Sequence, residues 1–409
     1  MMVEDVPMNG SSEPTVEISA QNEVNLENFH ITTPQEEMDV ESLQPYPSLS
    51  ISETTDIFEV ARWHSCQPEN YLRGCIFSPD GTCLLTAVNM DGIQVFELPL
   101  DLYDEKNVKE SRVVSRLKPA VHVKEGPKST VYDMKWYPLM NSHVPETCSF
   151  LISRQHEPIK SIDAFDGKIR CSYRGYDAVD EVEAALSLCY SPDGTQIYAG
   201  YKKTIKIFDT NRPGRDYETL ESRIPSSALA VNEDNSLLAT GSWNTSVSVF
   251  DIRSKDVAPR LVLQETHRGG ITHLKFLSET TLISGARKDS KLVVWDLRNP
   301  NTPFFVFNRN IDTNQRIYFD VTPEGKWLLS GSTDGCLKIW NMFEIYADNK
   351  APIKEFAYKL HDDCLNGISV HPFLPIVATS SGQHMPTLPE LDSDAECSVE
   401  NFVTMWWLK

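Results

Sequence analysis

From about residue 57 onward, hydrophobic and polar positions alternate over short runs, and each run ends in Gly, Pro, Asn, Asp or Ser. A period of two predicts strands with one buried face, and the intervening residues mark the turns between them. Residues 1–55 lack this periodicity and are rich in Glu, Ser, Thr, Pro and Asn, which predicts a disordered tail.

The strand pattern repeats. Each unit has an alternating strand, a turn, a second strand ending in small residues, another turn, and an aliphatic-aromatic strand. Five units read clearly, starting at Gly74 (GCIFSPDGTCLLTAVNMDGIQVFEL), Leu186, Ala228, Ile271 and Ile317. Two are degenerate. One starts at Val131 and carries a longer insert. The other starts at Asn366, is interrupted by an acidic loop at about 384–401, and resumes at NFVTMWW. First strands begin about 49 residues apart on average, near the WD-repeat period with loop insertions. The expectation is an all-β fold, a seven-bladed WD-repeat β-propeller over 56–409 with a disordered acidic N-terminal tail at 1–55.

Local signals agree. SPDG and TPEG are turn sequences, because Pro presets φ and Gly accepts positive φ. The GS and GA pairs that end second strands allow close backbone approach at the channel. The closing VFDI, VWDL and KIWN place an aromatic residue between blades. The sequence stops two residues after Trp407, so the last blade has only three strands of its own. IFEVARW (57–63) is expected to supply the fourth, joining both ends of the propeller in one ring.

Charge changes the picture only once it is located. The net charge is −20, but residues 1–55 hold eleven carboxylates and 386–401 hold five, neither with a Lys or Arg. The remainder carries about −4, so the overall balance does not exclude a nucleic-acid partner. No apolar stretch approaches the roughly 20 residues that cross a bilayer, and the N-terminus has no signal-peptide pattern, so no membrane association is expected. The nine cysteines are scattered without a CxxC pair, which predicts reduced core residues in a cytosolic or nuclear protein.

Catalytic signatures are missing from the sequence: it has no GxSxG, HExxH, Walker loop or GxGxxG, and its ten histidines have no metal-ligand spacing. A non-enzymatic protein without metal or cofactor is expected. His267 and Asp289 resemble a catalytic pair, but a WD repeat uses such residues structurally. His267, Ser284, Asp289 and Trp295 are expected to form one hydrogen-bonded network, with His267 also near the rim.

The sixth unit breaks this rule, with Thr313-Asn314-Gln315-Arg316 before its first strand and no His. That loop shares a face with the second turns of the blades, which supply Arg154 and His156, Lys202 and Lys203, Trp243 and Asn244, and Arg287 and Lys288. Cations, amides and an aromatic on one face suit phosphate contact, base-edge reading and stacking. The alternative is that each turn cation is simply solvated.

From Tyr71 onward the chain resembles the telomerase Cajal body protein family. The segments that carry the resemblance are TNQRIYFDVTPEGKWLLSGSTDG (313–335), HRGGITHLKF (267–276) and SGARKDSKLVVWDLR (284–298). YLRGCIFSPDG, SLCYSPDG, RPGRD and NGISVHP support it. The resemblance implies a non-catalytic protein that recognises the CAB-box loop of small Cajal-body RNAs, with telomerase RNA as a further candidate ligand. It implies residence in the nucleus and Cajal body, with room for a cytoplasmic pool. The partners implied are box-type guide ribonucleoprotein proteins and Cajal-body scaffold proteins. The expected RNA contacts are Arg287, Lys288, Gln315, Arg316, Asn314, His267, Arg268, Lys202 and Lys203. The rival expectation is a protein-only WD-repeat scaffold or adaptor.

Overall fold

The computed structural model of the chain describes residues 46–47, 49–65, 67, 69–124, 130–254, 258–264, 266–346, 353–384 and 400–409. Most of the expected tail and most of the acidic loop therefore lie outside the described residues. Seven antiparallel sheets follow one another as blades of a propeller. Their first, channel-lining strands are Leu72–Phe77, Val131–Trp136, Ser187–Tyr190, Ser226–Val231, Ile271–Phe276, Phe319–Val321 and Leu365–Val370.

The turn signals act as read. In blade 1, Ser78 Oγ donates to Asp80 Oδ1 at 2.6 Å, the Thr82 and Cys83 amides bond to Asp80 and Ser78, and Gly81 takes φ +72°. The small residues ending the second strands also have a steric reason. A Cβ on Gly331 would collide with the Leu365 carbonyl oxygen of the next blade.

Neighbouring blades are stapled through their inner strands. The Leu188 amide donates to Asp133 Oδ2 and the Val370 amide to Asp320 Oδ2, each at 2.8 Å. The Phe77 amide donates to Ser369 Oγ at 3.0 Å, and Ser227 Oγ donates to the Ile271 carbonyl at 2.6 Å. Each of these polar groups is satisfied by the adjacent blade, so the ring is held by directed bonds as well as by apolar packing.

Closure follows the expectation. Ile57–His64 runs antiparallel to Phe402–Leu408, with Ile57 opposite Leu408 and His64 opposite Phe402. Val60, Ala61, Leu72, Phe96, Met405 and Trp407 are buried together where this blade meets blade 1. Two features were not foreseen. An insert between the third and fourth strands of blade 1 carries Ser115–Arg116, a short parallel strand along Ala61 and Arg62, and it covers part of an edge that would otherwise be open. The packed body also begins before residue 56. Leu49 and Ile51 are buried against Trp327, Phe356 and Leu408. Trp327 Nε1 and Lys326 Nζ donate to the Leu49 carbonyl at 3.0 and 3.1 Å, and Tyr358 Oη donates to the Ser52 carbonyl at 2.6 Å. The boundary at 55 is therefore corrected. Two isolated apolar residues in a polar stretch carry no periodic signal, yet a tertiary groove buries them.

Candidate nucleic-acid interface

The four-residue network forms. His267 Nε2 lies 2.8 Å from Ser284 Oγ, His267 Nδ1 lies 2.9 Å from Asp289 Oδ2, and Trp295 Nε1 donates to Ser284 Oγ at 2.8 Å. His267 is buried with both ring nitrogens occupied, so its expected place at the rim is corrected. Burial alone would raise the Asp289 pKa. Hydrogen bonds from His267 and from the Arg268 and Lys291 amides outweigh it and hold the carboxyl below the usual carboxylate range.

The same device recurs in blade 7, unread from the sequence. His361 Nε2 is 2.7 Å from Thr379 Oγ1, Trp406 Nε1 donates to that oxygen at 2.7 Å, and His361 Nδ1 lies 2.8 Å from Glu400 Oε1. The His, Thr and Trp were visible. The carboxylate is Glu400 at the far end of the acidic insert, and that separation hid the set.

Blade 6 has a modified version. Arg309 takes the histidine position, with Nη1 donating to Ser330 Oγ at 2.8 Å and to the Ile317 carbonyl at 3.1 Å. It is fully buried, and burial lowers its pKa to about 9. Asn310 Nδ2 donates to Asp334 Oδ2 at 2.6 Å. Thr313–Arg316 therefore does not stand in for the missing histidine. It is extra length in the connection, and it leads toward the channel.

That extra length meets blade 5. The Lys288 amide donates to the Thr313 carbonyl at 3.1 Å, so the two loops share one rim, as expected from their adjacency. Lys288 has φ +48° and an exposed side chain, and Arg268 is also exposed. Next to them, the Arg287 guanidinium lies 5.8 Å from the ring centroid of Trp243, whose surface is 50% exposed. The RGG loop (268–270) makes this pairing possible. A Cβ on Gly270 would lie 2.9 Å from the Trp243 carbonyl oxygen and 3.2 Å from Arg287 Nε. An exposed indole beside a guanidinium is a stacking surface for an unpaired base.

Toward the axis, Asn314, Gln315 and Arg316 line a cavity of about 210 Å³ at the channel mouth, together with Tyr71, Arg73 and Tyr132. Both amide atoms of Gln315 are buried and without a hydrogen-bond partner among the described residues. Arg316 is differently placed from the expectation. Its Nη2 donates to the Leu186 and Ser227 carbonyls at 3.0 and 2.9 Å, and its Nη1 lies 3.8 Å from Asp133 Oδ1. From blade 6 it reaches blades 2, 3 and 4, and its donors point at the ring itself. Tyr71, Arg73 and Tyr132 were missed because each reads in sequence as an ordinary strand or loop position.

Lys202 and Lys203 are exposed in blade 3, on a separate cavity of about 460 Å³ walled by the hairpin Gly175–Tyr176/Val182–Glu183. The Lys202 amide bonds to Glu183 Oε1 at 3.3 Å. They share the face with the Trp243–Arg287 pair but not its cavity.

Comparison with known proteins adds an independent line. The WD domain, G-beta repeat family model matches residues 166–209, 221–251 and 315–341. The telomerase Cajal body protein 1 homolog of Drosophila melanogaster is 43% identical over 370 residues, covering 84% of this chain and 66% of that protein. Telomerase Cajal body protein 1 of Mus musculus is 36% identical over 368 residues, with 84% and 67% covered. That of Homo sapiens is 39% identical over 338 residues, with 81% and 60% covered. The chain thus spans 60–67% of the length of these relatives.

Proposed function

Since the chain belongs to the telomerase Cajal body protein family of WD-repeat propellers, we propose that its upper rim binds a single-stranded loop of nuclear guide RNA. The observation that carries this reading is one juxtaposition. The exposed Trp243–Arg287 pair lies on the rim that Lys288 ties to the Thr313–Arg316 loop, and that loop leads to a mouth cavity holding the unpartnered Gln315 amide. A base stacks on Trp243, Arg287, Lys288 and Arg268 meet phosphates, and Gln315 with Asn314 reads a base edge. Arg316 positions the loop by bracing it to three other blades. Lys202 and Lys203 are outlying phosphate contacts.

The RNA class is that of the small Cajal-body RNAs with their CAB-box loop, with telomerase RNA as a second ligand. The function is to bring these particles to the Cajal body in the nucleus, in company with guide ribonucleoprotein and scaffold proteins. Phe304, Phe343 and Tyr346 favour a protein-scaffold role beside this one. They are exposed, and Phe304 and Tyr346 stack at 5.3 Å on the face opposite the RNA rim.

The test is binding of box-containing and scrambled RNA by the full chain. Gln315→Ala should cost about 1–3 kcal/mol on the box RNA and little on the scrambled one. Trp243→Ala should weaken both by a similar amount, because stacking is sequence-tolerant. If both variants bind like wild type while Phe304→Ala abolishes binding, the RNA site is on the wrong face.

A further inference from the structure

We propose that the lower half of the central channel binds a free, small oxyanion of the phosphate class, held between Lys135 of blade 2 and His273 of blade 5. Below the mouth, Tyr318 crosses the channel and separates the upper cavity from a second one of about 290 Å³. A liquid-like water takes roughly 30 Å³, so this space admits a tetrahedral oxyanion together with several waters.

The charges lining this cavity do not cancel. Lys275 pairs with Asp320, whose other oxygen accepts the Val370 amide at 2.8 Å. Asp133 is occupied by the Leu188 and Met134 amides at 2.8 and 2.9 Å, with Arg316 3.8 Å away. Lys135 Nζ has neither a hydrogen bond nor an ion pair among the described residues. Burial would lower its pKa, but the fields of Asp133, Tyr318 and Cys189 together outweigh burial and keep the ammonium charged. With no acceptor on its Nζ among the described residues, an anion in the cavity gains a charge-assisted hydrogen bond without displacing another partner.

The His273 ring borders the same space. The His273 ring is held edge-on to Tyr318 at 5.0 Å and tilted on Phe319 at 4.5 Å, and its Nδ1 is buried and unpartnered. Burial, then the cations Lys135, Lys275, Arg309 and Arg316, push its pKa well below the ordinary histidine value. The ring is neutral, so it carries one N–H and one bare nitrogen, and turning that N–H toward the cavity gives an anion a donor. An anion seated there links blades 2 and 5, which are not neighbours in the ring, and so braces it from below.

The experiment titrates inorganic phosphate into the full chain at ionic strength held constant with sodium chloride. Saturable binding at one site is expected, with a melting temperature raised by about 1–2 °C at tenfold excess over Kd. Lys135→Met should weaken phosphate binding at least about tenfold, whereas Lys168→Gln at the exposed turn after Asp166 should leave it unchanged. A wild-type crystal soaked in tungstate gives a reading independent of any variant. An anomalous peak between Lys135 Nζ and the His273 ring supports the site. Absence of saturable phosphate binding, undiminished binding by a folded Lys135→Met, or a tungstate peak confined to the rim overturns it.

Discussion

His371 Nε2 donates to the Gly81 carbonyl at 2.9 Å, across the junction of blades 7 and 1. The other ring nitrogen accepts the Phe373 and Leu374 amides at 3.0 and 2.9 Å. A proton on Nδ1 would face two N–H donors. Burial lowers the His371 pKa to about 4, against the smaller opposing effects of the Gly81 carbonyl and Asp80.

A pH dependence follows, with a definite sign. Between about pH 6.5 and 4 the unfolded chain takes up a proton at this residue and the folded chain does not. Stability from His371 is therefore complete above about pH 6.5 and falls as pH drops through this window, by on the order of 3 kcal/mol. His371→Gln keeps an acceptor and a donor but does not titrate. Its melting temperature should fall less between pH 7 and pH 5 than that of wild type. An equal fall in both proteins would show that His371 is not the sensor.

Truncation should report the corrected boundary. Removing residues 1–45 should leave the melting temperature nearly unchanged. Removing 1–55 takes away Leu49, Ile51 and three hydrogen bonds to blade 6, and should lower it measurably. Removing 1–65 deletes the strand paired with Phe402–Leu408 and should cause aggregation through the exposed edge. Equal melting of the first two truncations would count against the packing of 49–55.

His267→Ala should destabilise before it affects RNA. It removes one buried hydrogen bond from each of Ser284 and Asp289, at about 1–3 kcal/mol per group. His361→Ala in blade 7 should behave alike, through Thr379 and Glu400. Thermal melts compared with RNA affinity at a temperature where both variants are folded decide this. A variant that melts like wild type yet loses RNA would place that histidine at the ligand.

Salt dependence separates the cations. Arg287→Gln and Lys288→Gln should each flatten the slope of log affinity against log salt by about one unit. Lys202→Gln and Lys203→Gln should change it less, because they lie on blade 3 at a cavity of their own, away from blade 5. Arg316→Ala should lower the melting temperature, since its donors hold Leu186 and Ser227. If Arg316→Ala instead melts normally and removes only RNA discrimination, it reads bases after all.

The sequence by itself determined the seven units, the turn chemistry of SPDG and TPEG, the pairing of 57–63 with the last strand, and the His267 network. Each of these rests on local periodicity or on a fixed spacing within one repeat, and such signals survive in one dimension. The tertiary structure alone decided which polar groups are satisfied. Arg316 has the same residue type as a base-reading arginine, but carbonyls from two blades distant in sequence occupy its donors. Gln315, one residue earlier, finds no partner among the described residues. Leu49 and Ile51 are buried only because Trp327 and Leu408 form a groove for them. Glu400 completes a network only because the strand pairing brings it back beside His361. In each case the partner is contributed by a segment far away in the chain, so its identity depends on how the ring closes.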